Sequence, residues 1–158
     1  MKKIHCLILV VFSFISYFAS TNVFGEENKG KLGIGLNYPG FSVRYCTSKN
    51  VFWEAKAQFD TNITVIGGRL SKYFNAEKSK LKFIKGVELD LLSFKGEVSE
   101  GNGLAGEVFV GGEYFITKKL SVQLDLGPAF IFVTDRNYSS ASASSLEFVA
   151  NFGINLYF

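Results

Sequence analysis

Histidine, cysteine and proline are scarce in this 158-residue chain, and each shortage excludes a class of function. The only histidine is His5, the only cysteines are Cys6 and Cys46, and there are 2 prolines. A disulfide framework or a Cys/His zinc site would need nearly all of these residues at once. Beyond position 5 the chain has no histidine for nucleophilic catalysis or for metal binding. We therefore predict that the protein is not an enzyme and has no catalytic residue, metal site or cofactor.

Long apolar runs are also few, and the clearest one lies near the N-terminus. Thirteen mostly apolar residues, 6–18, follow Lys2 and Lys3 and precede a short polar stretch. A membrane-spanning helix needs about 20 apolar residues, so this run is too short to be an anchor. A basic start, a short apolar core and small residues at the exit are typical of a secretory signal peptide. We expect residues 1–25 to be cleaved and residues 26–158 to form one domain.

The predicted mature chain carries no strong charge of either sign. Without residues 1–25, Lys and Arg total 15 and Asp and Glu total 14, which leaves a net charge of +1. Its lysines are scattered along the chain, so the sequence lacks the basic stripe of a nucleic-acid-binding protein. A content of 47% hydrophobic and 16% aromatic residues is too apolar for disorder, and the aromatic share favours β-strands.

Apolar and polar residues alternate through most of the chain, as expected for strands with two different faces. Every second residue from Phe148 to Phe158 is apolar, whereas the residues between them are mostly polar or small. This pattern predicts eight strands, at 31–38, 41–46, 51–59, 63–74, 81–93, 104–116, 119–133 and 146–158. The second strand is short for a membrane strand and is expected to extend through Gly40 or Thr47. Pro128 is expected to interrupt the hydrogen-bond ladder.

The connections between these strands are of two kinds. Every second strand ends in aromatic residues, which predicts a girdle at one rim of a barrel. The predicted girdle residues are Tyr45, Tyr73, Phe74, Tyr114, Phe115, Tyr157 and Phe158. The opposite rim has the two longest predicted loops, 94–103 and 134–145. The first contains the start of a G-x-G-x-x-G pattern at 101–106, which we interpret as a flexible hairpin loop and not as a dinucleotide site, because no helix pattern follows it.

An even number of strands, with short turns at one end and longer loops at the other, is typical of an outer-membrane barrel. The predicted fold class is therefore all-β: an eight-stranded antiparallel up-and-down transmembrane β-barrel that follows a cleaved signal peptide. Segments 36–45, 109–115 and 120–130, with the aromatic final strand, resemble the OmpA/OmpX-like family of small porin-like outer-membrane barrels.

This resemblance implies export to the periplasm and insertion into the bacterial outer membrane, with outer-membrane lipids as partners. It also implies that the barrel-assembly machinery recognises the final strand. The residues to which the resemblance carries this role are Phe152, Ile154, Leu156, Tyr157 and Phe158. The family has no shared catalytic residues, and the outer-membrane barrels that are enzymes depend on histidine.

The polar faces of the strands carry a set of charged residues that we predict to lie in the barrel lumen. These are Arg44, Glu54, Lys56, Arg69, Glu88, Asp90, Glu107, Asp125 and Glu147. Paired carboxylates also occur in glycoside cleavage and along cation paths. An eight-stranded barrel, however, has an interior only wide enough for its own side chains, so we expect a plugged lumen.

The function predicted from these features is structural, or is surface interaction through loops 94–103 and 134–145 with an extracellular ligand or a host surface. We expect a monomer that binds no nucleic acid. A narrow solute or ion pore is one alternative. A second alternative is a soluble, lipocalin-like periplasmic carrier, in which the apolar face would turn inward around a ligand.

Overall fold

All eight predicted strands are present in the computed structural model, which describes residues 30–37, 39–74, 79–96, 100–136 and 142–158. The strands are β1 (Leu32–Asn37), β2 (Gly40–Cys46), β3 (Val51–Asp60), β4 (Ile63–Phe74), β5 (Leu81–Lys95), β6 (Glu100–Phe115), β7 (Leu120–Asp135) and β8 (Ser142–Tyr157). The predicted signal peptide, residues 1–25, lies outside the described residues. Within the described ranges, no helix has the length and hydropathy to cross a membrane.

Each strand pairs antiparallel with its neighbours, and β1 pairs with β8 to close the ring. The prediction of an all-β, eight-stranded up-and-down barrel is therefore confirmed. A row of directly opposed residues leads from Gly33 on β1 round the ring to Glu147 on β8. Gly33 itself pairs with Tyr157, ten residues further along β8. This offset tilts the strands by about 40° to the barrel axis, in the usual range for closed barrels.

The two ends of the barrel differ in their connections. We call the end with connections 47–50, 75–80 and 116–119 the turn end, and the end with 38–39, 61–62, 96–99 and 136–141 the loop end. The predicted loops 94–103 and 134–145 are too long, because their outer residues belong to strands. Phe94 pairs with Gly101, where a Cβ would lie 2.6 Å from the Phe94 ring. The glycines of 101–106 thus allow close packing within β6, and the prediction of a flexible loop there is wrong.

The barrel wall is much lower at β1 and β2 than elsewhere. These strands have 6 and 7 residues, whereas β6, β7 and β8 have 16 each. Among the described residues, β8 therefore pairs with β1 only from Gly153 to Tyr157, and its Ser142–Phe152 part pairs only with β7. An opening in the wall lies on the loop-end side of the β1–β2 hairpin, beside the Ser142–Phe152 part of β8. We call this opening the notch. β2 does begin at Gly40, as its short length predicted.

The ladder between β6 and β7 is interrupted at Pro128. Pairing stops after Glu107 and Ala129 and resumes at Val110 and Leu126 in the same register. Pro128 has no N–H to donate, and Gly127 lies against the backbone of Val108. The prediction of an irregularity at this proline is confirmed.

The faces of the sheet are arranged opposite to those of a soluble protein. Large apolar side chains point outward and are exposed, with Leu89 and Leu146 both at 74% and Phe148 at 78%. The buried interior contains charged and polar side chains, together with an aromatic group at the turn end. A lipocalin-like arrangement would require the reverse, with the apolar face inside.

Candidate functional site

The interior of the barrel contains one row of charged residues set by strand register. Each residue of the row directly faces the next one on the neighbouring strand. Across the first four strands of the row, β2 to β5, positively and negatively charged residues therefore alternate. The row consists of Arg44, Glu54, Arg69, Glu88 and Glu107. Opposite charges at directly opposed positions stabilise neighbouring strands, whereas the like pair Glu88–Glu107 needs cations nearby. Because the strands are tilted, the position of the row shifts along the barrel axis from β2 to β6.

Towards the turn end, the interior is organised around Glu113, which is fully buried. Tyr157 donates a hydrogen bond of 2.7 Å to Glu113 Oε1, and the Tyr73 hydroxyl donates to Oε2. Ser121 also donates to this carboxylate, and Asn155 donates over 3.3 Å. A buried carboxylate is tolerated only when such donors and a cation compensate its charge. We call these residues, with Arg44, the Glu113 cluster.

The cation of the Glu113 cluster is Arg44, which is 1% exposed. Its Nη1 lies 3.3 Å from Glu113 Oε2 and donates to the Tyr157 hydroxyl over 2.6 Å. Its Nη2 donates to Glu54 and to Gln123 Oε1, both over 2.8 Å. The guanidinium also lies over the Phe52 ring, 4.3 Å from the centroid. One planar side chain therefore links β2, β3, β6, β7 and β8 across the lumen.

A second group, the Arg69 cluster, lies nearer the loop end. Arg69 donates to Asp125 through both terminal nitrogens, at 3.1 and 2.8 Å, and through Nε to Glu88. Lys56 forms a further ion pair with Glu88, and Glu107 lies 4.0 Å from Arg69. The Arg69 guanidinium also lies 4.0 Å from the centroid of Phe109. The bidentate pair fixes Arg69 across the lumen from β4 to β7.

Gln123 joins the two clusters. Its carbonyl oxygen accepts from Arg44, and its amide nitrogen donates to Asp125 over 2.6 Å. Asn151 extends the network by donating to Asp125 over 3.2 Å and to Glu107 over 3.4 Å. The result is one continuous polar network across the barrel cross-section, in which most of the buried charged groups have a partner inside the protein, although Arg44 Nε and Asn155 Oδ1 have no hydrogen-bond partner among the described residues.

Acidic groups exceed basic groups in the loop-end half of the lumen. Within the described part of the chain, Glu107 Oε1 and Asp90 Oδ1 are buried without a hydrogen-bond partner. Asp90 faces Gly67, whose missing side chain leaves room for the carboxylate. Glu147 was predicted to join the lumen network, but its side chain is exposed. Within the described residues, it accepts a hydrogen bond only from the nearby Ser145. It occupies an inward position so near the loop end that the solvent reaches it.

Three of the predicted girdle residues are not in a girdle. Tyr73 and Tyr157 are 2% exposed and Phe115 is 6% exposed, all inside the barrel. Consecutive residues of a strand point to opposite faces, so Tyr73 and Phe74 cannot share one face, and the same holds for the other predicted pairs. The outward aromatics of the predicted set are Tyr45, Phe74, Tyr114 and Phe158.

The inward aromatics instead close the turn end of the lumen. The Phe52 and Tyr73 ring centroids are 5.0 Å apart, and those of Phe115 and Tyr157 are 5.7 Å apart. Lys82 places its ammonium group 5.0 Å from the Tyr73 centroid and 4.9 Å from that of Phe115. Cys46 and Ile84 are buried beside them. This aromatic layer adjoins the Glu113 cluster on the side of the turn end and shares Tyr73 and Tyr157 with it.

Several central residues were absent from the predicted network, above all Glu113, Lys82 and Gln123. The sequence left the faces of β6 unassigned, because Glu113 and Phe115 share a parity with the apolar Phe109. Strand register resolves the point, since Glu113 faces Lys82 on β5 and Gln123 on β7. Lys82 and Gln123 are both polar, and this is the signal in the sequence that could have placed Glu113 in the lumen. Among the described residues, no group of three or more His, Cys, Asp or Glu side chains is arranged to hold a metal ion.

Comparison with known proteins gives a fold and no family. No family model matches the chain, and no curated protein matches it. Among solved structures, the N-terminal β-barrel domain of Pseudomonas aeruginosa OprF matches with a TM-score of 0.56 and 13% sequence identity, over 82% of this chain and 98% of that one. What the two chains share is the fold. The likeness to an outer-membrane barrel domain therefore concerns architecture, and the role of this chain must come from its own residues.

Proposed function

We propose that this protein is an integral β-barrel of the bacterial outer membrane that has no enzymatic activity and whose lumen is plugged. The observation that carries the proposal is the apolar outer face. Each of the eight strands exposes large apolar side chains on its outward face, and together they exceed the few hundred Å² that a soluble monomer tolerates in one patch. Apolar outside and polar inside is the pattern of a barrel whose solvent is lipid.

The plug follows from the two clusters and the aromatic layer. Arg44, Glu113 and Arg69 are at most 4% exposed, and each has partners on several strands. Water or ions moving along the lumen would have to displace these charge-assisted hydrogen bonds, which are among the strongest in proteins. The absence of histidine beyond His5 supports a role without catalysis.

The remaining role is structural support of the membrane or recognition at the loop end. The β5–β6 and β7–β8 hairpins reach furthest in that direction, and their connections, 96–99 and 136–141, are shorter than predicted. An extracellular ligand or host surface would meet these two hairpins first. We propose a monomer surrounded by outer-membrane lipids.

Conductance across a planar lipid bilayer tests the plug. We expect the refolded protein, inserted and verified by its heat-dependent gel mobility, to give no steady channel openings. Replacement of both Arg44 and Glu113 by alanine is expected to leave the lumen closed, because the Arg69 cluster and the aromatic layer still cross it. Steady openings of the unmodified protein would favour the narrow pore instead.

A further inference from the structure

The notch leaves a long strand edge without a partner. Over Ser142–Phe152, β8 pairs with β7 on one side, and no strand in the described part of the chain pairs with its other side. The Tyr157 N–H donates to Lys119 on the β7 side, and the Phe158 N–H donates to Leu32 on the β1 side. Backbone groups alternate along a strand, so the N–H groups of Ser144, Leu146, Phe148 and Ala150 point to the open edge.

This edge lies at the depth of the apolar outer face. Leu146 and Phe148 are 74% and 78% exposed, and they continue the outward row that includes Phe152 and Ile154. Unpaired backbone groups are costly in lipid, where each costs several kcal/mol. The residues of the segment, SASSLEFVANF, include no proline and no lysine to block pairing at this edge, and Glu147 is its single charged residue.

We propose that an extended segment of a partner protein adds to this edge as a strand, antiparallel to β8 and in line with β1. Lipid chains have no donors or acceptors for the open N–H and C=O groups, whereas a strand supplies both. The proposal rests on the membrane location proposed above, which sets the cost of the open edge.

The notch specifies the side chains of the partner strand. At its base is an apolar groove of about 550 Å³ between the β1–β2 hairpin, Phe59 and β8, which fits one large apolar side chain on the outward face. On the inward face, Glu147 and Asp90 are acidic, and the inward positions of β5 to β8 on the loop side of Glu107 include no lysine or arginine. A lysine or arginine opposite Glu147 would complement this charge.

The β8 edge of a second copy of the chain does not fit this edge as an antiparallel strand. Two barrels inserted in the same direction have β8 strands that run the same way across the membrane. Antiparallel pairing of β8 with β8 of another copy would need one barrel to be inverted. The partner is therefore a different strand.

A peptide-binding experiment tests this proposal. The probe is a synthetic peptide as long as the open edge, with valine or phenylalanine at outward positions, threonine at inward positions and a lysine opposite Glu147. It is added to the full folded barrel in detergent micelles, and binding is measured by fluorescence anisotropy and by amide hydrogen exchange. We expect saturable binding that slows exchange at Leu146, Phe148 and Ala150.

Three variants and two control peptides make the test specific. The Ala150 N–H points to the open edge, so Ala150→Pro removes one edge donor but keeps the β7 ladder, whereas Ala150→Val keeps the donor. Ala150→Pro loses one hydrogen bond to the peptide and the strand geometry around it. We therefore expect this variant to bind the peptide about tenfold more weakly. Ala150→Val should bind as the unmodified barrel does. Replacing the peptide lysine with glutamate should weaken binding to the unmodified barrel but not to Glu147→Gln.

Three results would overturn the proposal: no binding, equal binding of a scrambled peptide without alternation, and equal binding by Ala150→Pro. The second would indicate that the groove takes apolar material such as lipid chains without strand addition. Heat-dependent gel mobility of each variant checks that the barrel is folded. Peptide binding is measured in detergent micelles and not in the membrane. A lack of binding can therefore be distinguished from an error in the proposed membrane location.

Discussion

Glu113 is the side chain on which the interior of this protein depends most. It accepts hydrogen bonds from Tyr73, Tyr157, Ser121 and Asn155 and forms an ion pair with Arg44. A buried ion pair adds little net stability compared with an apolar pair of the same shape, but removal of one member leaves an uncompensated charge. Removal of Glu113 is therefore expected to lower the free energy of unfolding by much more than its ion pair with Arg44 raises it.

Replacement of Glu113 by alanine is expected to lower the free energy of unfolding by about 3–5 kcal/mol, because Arg44 loses one of its two buried counter-ions and four buried donors lose their acceptor. Urea unfolding in detergent or lipid vesicles measures this change. The matched control is Glu147→Ala, which removes an exposed carboxylate and should change stability by less than about 0.5 kcal/mol. Equal effects of the two substitutions would contradict the proposed role of Glu113.

Arg69→Lys tests the geometry of the Arg69 cluster at constant charge. A lysine cannot donate to both Asp125 oxygens and to Glu88 in one plane, and it loses the flat contact with Phe109. We expect a loss of about 1.5–3 kcal/mol, the usual value of hydrogen bonds to charged groups. Lys95→Ala, in an exposed pair with Glu100, should cost no more than about 1 kcal/mol. An unchanged stability of Arg69→Lys would show that charge alone is required.

The strands show which parts of this site could be predicted from sequence. Alternation located all eight strands, and it placed Arg44, Glu54, Lys56 and Arg69 on polar faces. It failed for Tyr73 and Phe74, where two aromatics in succession hide the fact that they face opposite ways. It also failed at the ends of β5 to β8, because glycine, serine and asparagine are typical of loops but pair as strands here. Only register, which depends on the whole sheet, identifies Glu113 and the unpaired edge of β8.

The outward row of β8 also carries the predicted assembly role of the final strand. Phe158 is 62% exposed on this row, beside the inward Tyr157. We expect Phe158→Ser to reduce the amount of barrel in the outer membrane without a comparable change in the stability of protein refolded in detergent. Quantitative blotting of membrane fractions measures the first and urea unfolding the second. Normal membrane levels of Phe158→Ser would contradict an assembly role for this residue.

As a molecule, the protein combines a low wall at β1–β2 with a tall sheet formed by β5 to β8. The closed part of the ring, where all eight strands are paired, contains both clusters and the aromatic layer. The tall sheet continues towards the loop end, with acidic groups inside and with an edge of β8 that no described strand pairs with. In the function that we propose, support of the membrane belongs to the first part and recognition belongs to the second. All of this depends on lipid as the solvent of the outer face.

Trp53, the only tryptophan in the chain, allows a direct test of that claim. It points outward and is 54% exposed, whereas the adjacent Phe52 is fully buried in the lumen. In vesicles of lipids with brominated acyl chains, we predict strong quenching of Trp53 fluorescence. The same lipids should quench little in the matched variant with Trp53→Phe and Phe52→Trp, whose tryptophan faces the interior. Quenching of Trp53 by aqueous iodide but not by brominated chains would contradict the account, because the apolar face would then not meet lipid.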